Sequence, residues 1–251
     1  MQEKTSDFLK LAMRLAKQSA KLLERMQPHS HIKVNKGAGD YALDADIASE
    51  KLILSAIRKQ YPTHDILTEE SKHKHVVSPY LWVIDPLEGT LNYSHKLPLW
   101  GVNIAVFHKG EPIVGVFYAP QLKELYHAVK GKGTFLNGKR IHVNTQTDIM
   151  KSFFGGTAKH LSSLNLSGHL LRNLGCCCLE LAYVARGLFG ARIKLHGSDP
   201  YGYGAGSILV TEAGGMITDT KGKQWKLSSD GAIASNGKLH AEILALLNNT
   251  S

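Results

Sequence analysis

The sequence predicts a mixed α/β (α+β) fold, a layered αβαβα sandwich in which an antiparallel-sheet subdomain is followed by a smaller α/β subdomain. Three observations predict it. Residues 101–108, 112–118 and 124–128 are short runs rich in β-branched and aromatic residues, and the first two are separated by the turn Lys109-Gly110-Glu111, the pattern of a meander. Two stretches with helical spacing of apolar residues precede them, at 5–27 and 47–60. Beyond about residue 145 helices alternate with single short strands and Gly-rich turns. The parts are bounded at 1–145, a helix and antiparallel-sheet subdomain carrying the site described below, and 146–251, an α/β subdomain.

Each element has its own signal. In the first helix, 5–27, Phe8, Leu11, Leu15, Leu22 and Met26 recur at helical spacing, Thr5 or Ser6 caps the start and Pro28 stops it. His31 to Asn35 reads as a short strand and Gly37-Ala38-Gly39 as a turn or mobile loop. In the second helix, 47–60, Leu52, Ile53, Ala56 and Ile57 face inward, Asp46 stands at the N-cap and Pro62 closes the end. Ile66-Leu67 begins a strand that delivers Glu69, and Lys72-His73-Lys74-His75 reads as a solvated loop. Tyr80 to Ile84 is a buried strand broken at once by Asp85-Pro86. Asn137-Gly138 marks a hairpin, and the sheet ends near Val143. The second part holds a helix at 176–186, a strand at 191–195, a Gly-rich turn at 202–206, a helix at 204–213 ended by Gly214-Gly215, strands at 215–218 and 231–234, and a last helix at 237–248.

Composition narrows the function classes. No run of about 18 apolar residues exists, so no membrane-spanning helix and no membrane partner are expected. Met1-Gln2-Glu3-Lys4 has no apolar signal core behind it. The three cysteines, Cys176, Cys177 and Cys178, are adjacent and cannot staple a disulfide framework; they read as small buried residues at a helix start rather than a soft-metal or redox site, and a cytoplasmic setting is expected. The net charge is +9, from 30 Lys and Arg against 21 Asp and Glu, but the positive residues are scattered, and the densest stretch, Lys130 to Arg140, is interrupted by Gly131, Gly133 and Gly138. No specific nucleic-acid partner is expected; a positive field that attracts a small phosphorylated metabolite is the simpler use.

The strongest chemical signal is Ile84-Asp85-Pro86-Leu87-Glu88-Gly89-Thr90. An apolar strand runs into an acid, a second acid follows three positions on, and Gly89 and Thr90 open a short helix whose free N–H groups suit phosphate oxygens. Paired carboxylates there hold hard cations through oxygen. Three further pieces, Thr68-Glu69-Glu70-Ser71, Asp40 to Asp46 with its three acids, and Ala205 to Gly215, are each unremarkable alone.

Taken in order, the four pieces resemble the inositol monophosphatase family, within the lithium-sensitive Mg2+-dependent phosphatases. That family's pattern is D-x-x-(T)-x-x-D, then E-E-S, then D-P-(I/L)-D-G-T-x-N-(F/Y), then W-D-x-A-(A/G)-(A/G) ending in E-A-G-G. The matching stretches are Asp40 to Asp46, Glu69-Glu70-Ser71, Asp85 to Tyr93 and Tyr201 to Gly215, with further likeness at Gly131 to Gly138; the segment between Phe154 and Gly175 is shorter than usual. The resemblance implies hydrolysis of a small phosphomonoester by in-line attack of water, with Mg2+ as cofactor. It implies a first cation on Glu69, Asp85 and the Leu87 carbonyl, and a second on Asp85, Glu88 and an aspartate of the last motif. It assigns Thr90, Asp46 and Glu69 to catalysis, Gly89, Thr90, Gly175 and Cys176 to substrate binding, and a homodimer, which the apolar meander from Trp100 to Tyr118 also suggests.

The sequence departs from the pattern at four places. Glu88 replaces an aspartate, moving the carboxylate by roughly 1.5 Å. Tyr201-Gly202 stands where W-D belongs, removing a carboxylate unless Asp199 compensates, and a turn needing positive φ would explain the glycine. Leu195 stands where many members place an acid that touches substrate hydroxyls, and Leu43 replaces a common threonine. Two alternatives therefore stand beside an inositol-phosphate or related sugar- or nucleotide-phosphate phosphatase: a member with impaired catalysis and a binding or regulatory role, and a 3′-phosphonucleotide phosphatase.

Overall fold

Phe8, Leu11, Leu15 and Leu23 form one stripe of the first helix, and burying that stripe fixes where the helix lies. The computed structural model describes residues 5–37, 40–70, 77–157 and 168–248, with the backbone alone at 35–37, 40–41 and 248. α1 spans Thr5–Met26, and Pro28 ends it in a single 3-10 turn. β1 (Ile32–Gly37) and β2 (Asp40–Leu43) form an antiparallel ribbon leading into α2 (Asp44–Gln60). Both helices pack on one face of a seven-stranded sheet, whose order is β3 (Asp65–Thr68), β4 (Tyr80–Glu88), β5 (Gly101–His108), β6 (Glu111–Ala119), β7 (Glu124–Val129), β8 (Gly133–Leu136) and β9 (Lys139–Ile141). A short helix, α3 (Thr90–Ser94), follows β4.

The other face of this sheet carries α4 (Cys177–Ala185) and α5 (Pro200–Glu212), and Phe117, Tyr126, Leu181 and Ile208 belong to the core between them. Beyond lies a five-stranded sheet in the order β11 (Leu170–Arg172), β10 (Phe153–Gly155), β12 (Ala191–Lys194), β14 (Ala232–Ser235), β13 (Met216–Thr218). Strand alternation splits β14: Ala232 and Ala234 join the core with α4 and α5, while Ile233 joins Ile243 and Leu247 of α6 (His240–Asn248). The layers are αβαβα. Among the described residues no helix is long and apolar enough to cross a membrane.

Several local expectations change. The second helix starts at Asp44, so Asp46 is in the first turn rather than at the N-cap; its Oδ2 reaches back to accept the Leu43 N–H at 2.8 Å. β4 is not broken at Asp85-Pro86 but continues to Glu88 through an irregularity. The large sheet has one parallel pair, β3 with β4. The expected Gly-rich turn at 202–206 is helical, because α5 begins at Pro200, capped by Asp199, whose Oδ1 accepts the Gly202 N–H at 2.9 Å. The meander from Trp100 to Tyr118 is core of its own chain, with Trp100, Val102, Ile104 and Phe117 fully buried, so its apolar character is accounted for within the chain. Strands β2, β10 and β11 were not expected from the sequence. Ala38-Gly39, Ser71 and the Lys72–His75 loop lie outside the described residues.

Candidate active site

β3 and β4 run parallel with Thr68 opposite Ile84, so the residues next along the two chains, Glu69 just beyond β3 and Asp85 within β4, follow a paired position. Beyond Asp85 the strand bulges: Asp85 pairs with Asn103 and Glu88 with Gly101, so three steps of β4 match two of β5. Residues three apart on a regular strand face opposite ways, and one extra residue brings Asp85 and Glu88 to the same side. Proline fits the bulge because no ladder N–H is needed there. Its carbonyl accepts from Ser49 Oγ of α2 at 2.7 Å, which fixes the bulge to the helix that carries Asp46.

The acids have unequal partners. Asp85 Oδ1 accepts the Leu87 N–H at 3.1 Å. Glu88 Oε1 accepts the Cys177 N–H at 2.8 Å, at the start of α4, while Glu88 Oε2 is buried with no hydrogen-bond partner among the described residues. Thr90 Oγ1 lies 3.2 Å from Asp46 Oδ1 and 3.0 Å from the Leu87 carbonyl. Gly89 has φ +88°, and a Cβ there would come within 2.9 Å of the Leu99 carbonyl, so only glycine turns the chain from β4 into α3. Gly175, at φ +65°, abuts the Asn92 side chain, and Asn92 Nδ2 donates to the Leu99 and Leu174 carbonyls, each at 2.7 Å. Cys176 is buried, its thiol 3.7 Å from the Glu88 carbonyl.

Burial dominates the electrostatics: Asp46, Asp85 and Glu88 are only 1, 5 and 6% exposed. It pushes Asp85 well above the usual carboxylate range, with Glu69 and Glu88 adding repulsion. Burial and then Asp199 push Glu88 up to about 7. Burial pushes Asp46 up to about 7 as well, against the opposing hydrogen bond from Leu43 and with repulsion from Glu70 and Glu69. Oxygen-only donors, a buried carboxylate oxygen without a partner and three crowded carboxyls are the chemistry that suits a hard divalent cation. The convergence expected of Glu69, Asp85 and Glu88 is partial. They lie within electrostatic reach of one another, yet among the described residues no three His, Cys, Asp or Glu side chains close into a ready ion cage.

Asp199 does not simply replace the missing carboxylate, since Oδ1 caps α5 and Oδ2 is 3.3 Å from Lys194 Nζ. Gly202 does not have positive φ. Space explains it instead: a Cβ there would meet Cys177 Cβ, Cys177 Sγ and Asp199 Oδ2, each at 2.9 Å. Leu195 packs against the core under α6. Sequence reasoning missed Cys177, Asn92 and Asn103, which donates to the Tyr201 carbonyl at 2.7 Å and accepts from the Ala205 N–H at 3.2 Å, tying β5 to the start of α5. A lone amide inside the apolar run Val102 to Val106 was its only signal.

A sequence model of the inositol monophosphatase family matches residues 4–251. The chain is 35% identical over 253 aligned positions to the Nus factor SuhB of Escherichia coli K12, covering 95% of this chain and 94% of the relative. It is 33% identical over 224 positions to a fructose-1,6-bisphosphatase/inositol-1-monophosphatase of Thermotoga maritima, covering 87 and 86%. Among solved structures, an IMPase of Thermotoga maritima superposes with a TM-score of 0.90 at 30% identity, over 97% of this chain and 98% of the other.

Proposed function

Because the chain belongs to the inositol monophosphatase family, we propose that it is a Mg2+-dependent phosphomonoesterase for inositol monophosphate or a related small sugar or nucleotide phosphate. The observation that carries this reading is the cluster of buried Asp46, Asp85 and Glu88 beside half-buried Thr90, whose Oγ1 reaches both Asp46 and the Leu87 carbonyl. Glu69, Asp85 and the Leu87 carbonyl would hold a first cation, and Asp85 and Glu88 a second. When bound, Mg2+ offsets charge on the phosphoryl group and makes water more acidic. Thr90 Oγ1 and Asp46 orient the attacking water, Asp46 takes its proton, and Glu69 helps hold the water in line. The N–H groups of Gly89 and Thr90, with Gly175 and Cys176 across the site, bind the phosphate oxygens.

Phosphate release from a panel of inositol, sugar and nucleotide phosphates, 3′-phosphonucleotides included, tests this with Mg2+ varied. The reading predicts Mg2+-dependent turnover on at least one class, and no release from any would overturn it. A second reading, a binding or regulatory protein of impaired catalysis, draws support from Glu88, Gly202 and Leu195 and from relatives named Nus factor. It predicts no turnover while the fold and cation binding are retained. A homodimer is proposed on the family alone, and light scattering at micromolar concentration decides it against the 27.5 kDa monomer.

A further inference from the structure

A cavity of about 610 Å3 lies at the far end of α5 from Gly202. That volume is in the usual range for small-molecule sites, roughly 300–1,000 Å3. None of Asp46, Glu69, Asp85, Glu88 or Thr90 lines it. Its walls are apolar and buried: Phe107 of β5, Ile208 of α5 and the Trp225 ring, which lies against Tyr203 with centroids 5.7 Å apart. Its rim is basic, with exposed Lys109, Lys130 and Lys226.

The two acids at the rim are already engaged. Glu111 pairs with Lys130 at 3.6 Å and accepts from Gln224 at 3.3 Å. Glu212 accepts the N–H groups of Gly131 and Gly133 at 2.8 and 2.9 Å, closing the turn before β8. Among the described residues neither Lys109 nor Lys226 has an ion-pair partner. An aromatic and aliphatic interior beneath two uncommitted ammonium groups is complementary to one kind of molecule. We propose that this cavity is a second ligand site, which takes a small amphipathic anion: an aromatic or aliphatic body in the pocket with a single sulfonate, carboxylate or phosphate group held between Lys109 and Lys226. The body is buried against Trp225 and Ile208, and the head group stays at the rim, where salt screens it. This site is independent of the proposed phosphatase reaction.

The test uses the full-length chain with 8-anilinonaphthalene-1-sulfonate as probe. Binding is measured by calorimetry, and because Trp225 lines the cavity while Trp82 and Trp100 lie in the core on the α1 side of the large sheet, energy transfer from tryptophan to the naphthalene should be reduced most by Trp225→Phe. The expected result is one saturable site per chain. Lys109→Glu with Lys226→Glu should weaken it at least tenfold, and Thr211→Trp, at an exposed position lining the pocket, should block it. Both variants change exposed positions, and unchanged melting curves verify folding. N-phenyl-1-naphthylamine, the same body without the sulfonate, should bind at least tenfold more weakly. Absence of saturable binding, equal binding by the wild type and both variants, or equal affinity for the uncharged probe would each overturn the proposal.

Discussion

Thr90 has one hydroxyl proton and two acceptors within reach, Asp46 Oδ1 and the Leu87 carbonyl. That geometry sets water-positioning apart from a purely structural role. If these side chains orient the nucleophile, Thr90→Ala and Asp46→Asn each lower turnover by about 10²- to 10⁴-fold. Asp46 also secures the helix start through Leu43, worth about 1 kcal/mol in comparable caps. An asparagine oxygen can still accept that bond, so near pH 4, where the buried acid is protonated, Asp46→Asn should leave the melting temperature nearly unchanged. Normal turnover per folded molecule would reduce Asp46 to a cap. Gly202 poses a different residue-scale question, because Cys177 and Asp199 fill the space a side chain would need. Gly202→Asp alone therefore overpacks the junction of α4 and α5, costing about 1–3 kcal/mol. Adding Cys177→Gly removes both Cys177 atoms from the clash, so the double variant should be more stable than the sum of the singles, as chemical denaturation of all four proteins measures. Mg2+ affinity, read by calorimetry in that double variant, then shows whether an acid at 202 completes a second cation position. A folded double variant with unchanged affinity means that it does not.

Among the elements, α3 is too short to hold itself and is fixed from outside. Tyr93 Oη donates to the Leu23 carbonyl of α1 at 2.7 Å, Gln27 donates to the Tyr93 carbonyl at 3.0 Å, and Asn92 clamps the Leu99 and Leu174 carbonyls together. Asn92 thereby sets the segment carrying Gly175 and Cys177 against the end of β4. Asn92→Ala leaves two carbonyls without their donor, an expected loss of about 1–3 kcal/mol. It should also lower turnover of the remaining folded protein, because the Cys177 N–H that holds Glu88 is no longer fixed; urea melts paired with single-turnover rates separate the two effects. The same elements show what the sequence could reveal. α1 and the strands of the meander were legible because their apolar periods are local. The bulge in β4 was not, because Asp-Pro after an apolar run reads as a break. α5 was cut short because Gly202, Gly204 and Gly206 are poor helix formers. The helix forms anyway, since a Cβ at Gly206 would overlap the Leu181 side chain of α4, and close packing of the two helices requires glycine. The acids at the strand ends were legible, but the Cys177 N–H was not, because a backbone donor leaves no mark on residue type. The parallel pairing of β3 with β4 depends on contacts made after the chain has folded back, and no local pattern encodes it.

At the scale of the molecule, the acids come from separate layers and one linkage joins them. α2 supplies Asp46, the large sheet supplies Asp85 and Glu88, and α4 beneath it supplies the Cys177 N–H that holds Glu88. Asp46 and Glu88 have folded-state pKa values of about 7, and Asp85 is raised too, all above their values of about 4 in the unfolded chain. A carboxyl raised on folding gives the metal-free protein stability that is full below the unfolded value and is lost as pH rises through about 7, because the unfolded chain releases its protons first. The net charge of +9 acts in the opposite direction, since self-repulsion eases as pH rises, so a fall in stability over that range is attributable to the buried acids. A divalent cation binds their ionised form, and its stabilisation grows with the fraction ionised. Calorimetry in EDTA should therefore show the melting temperature falling between pH 5 and 8, and the rise on adding Mg2+ should be larger at pH 8 than at pH 5.5. Glu88→Gln should make the metal-free profile shallower, Asp46 and Asp85 keeping the rest of the slope, and shrink the Mg2+ response with it, because a neutral amide has no proton to release and little affinity for the cation. A Mg2+ response of equal size at both pH values, or one that survives Glu88→Gln unchanged, would place the cation away from these carboxylates.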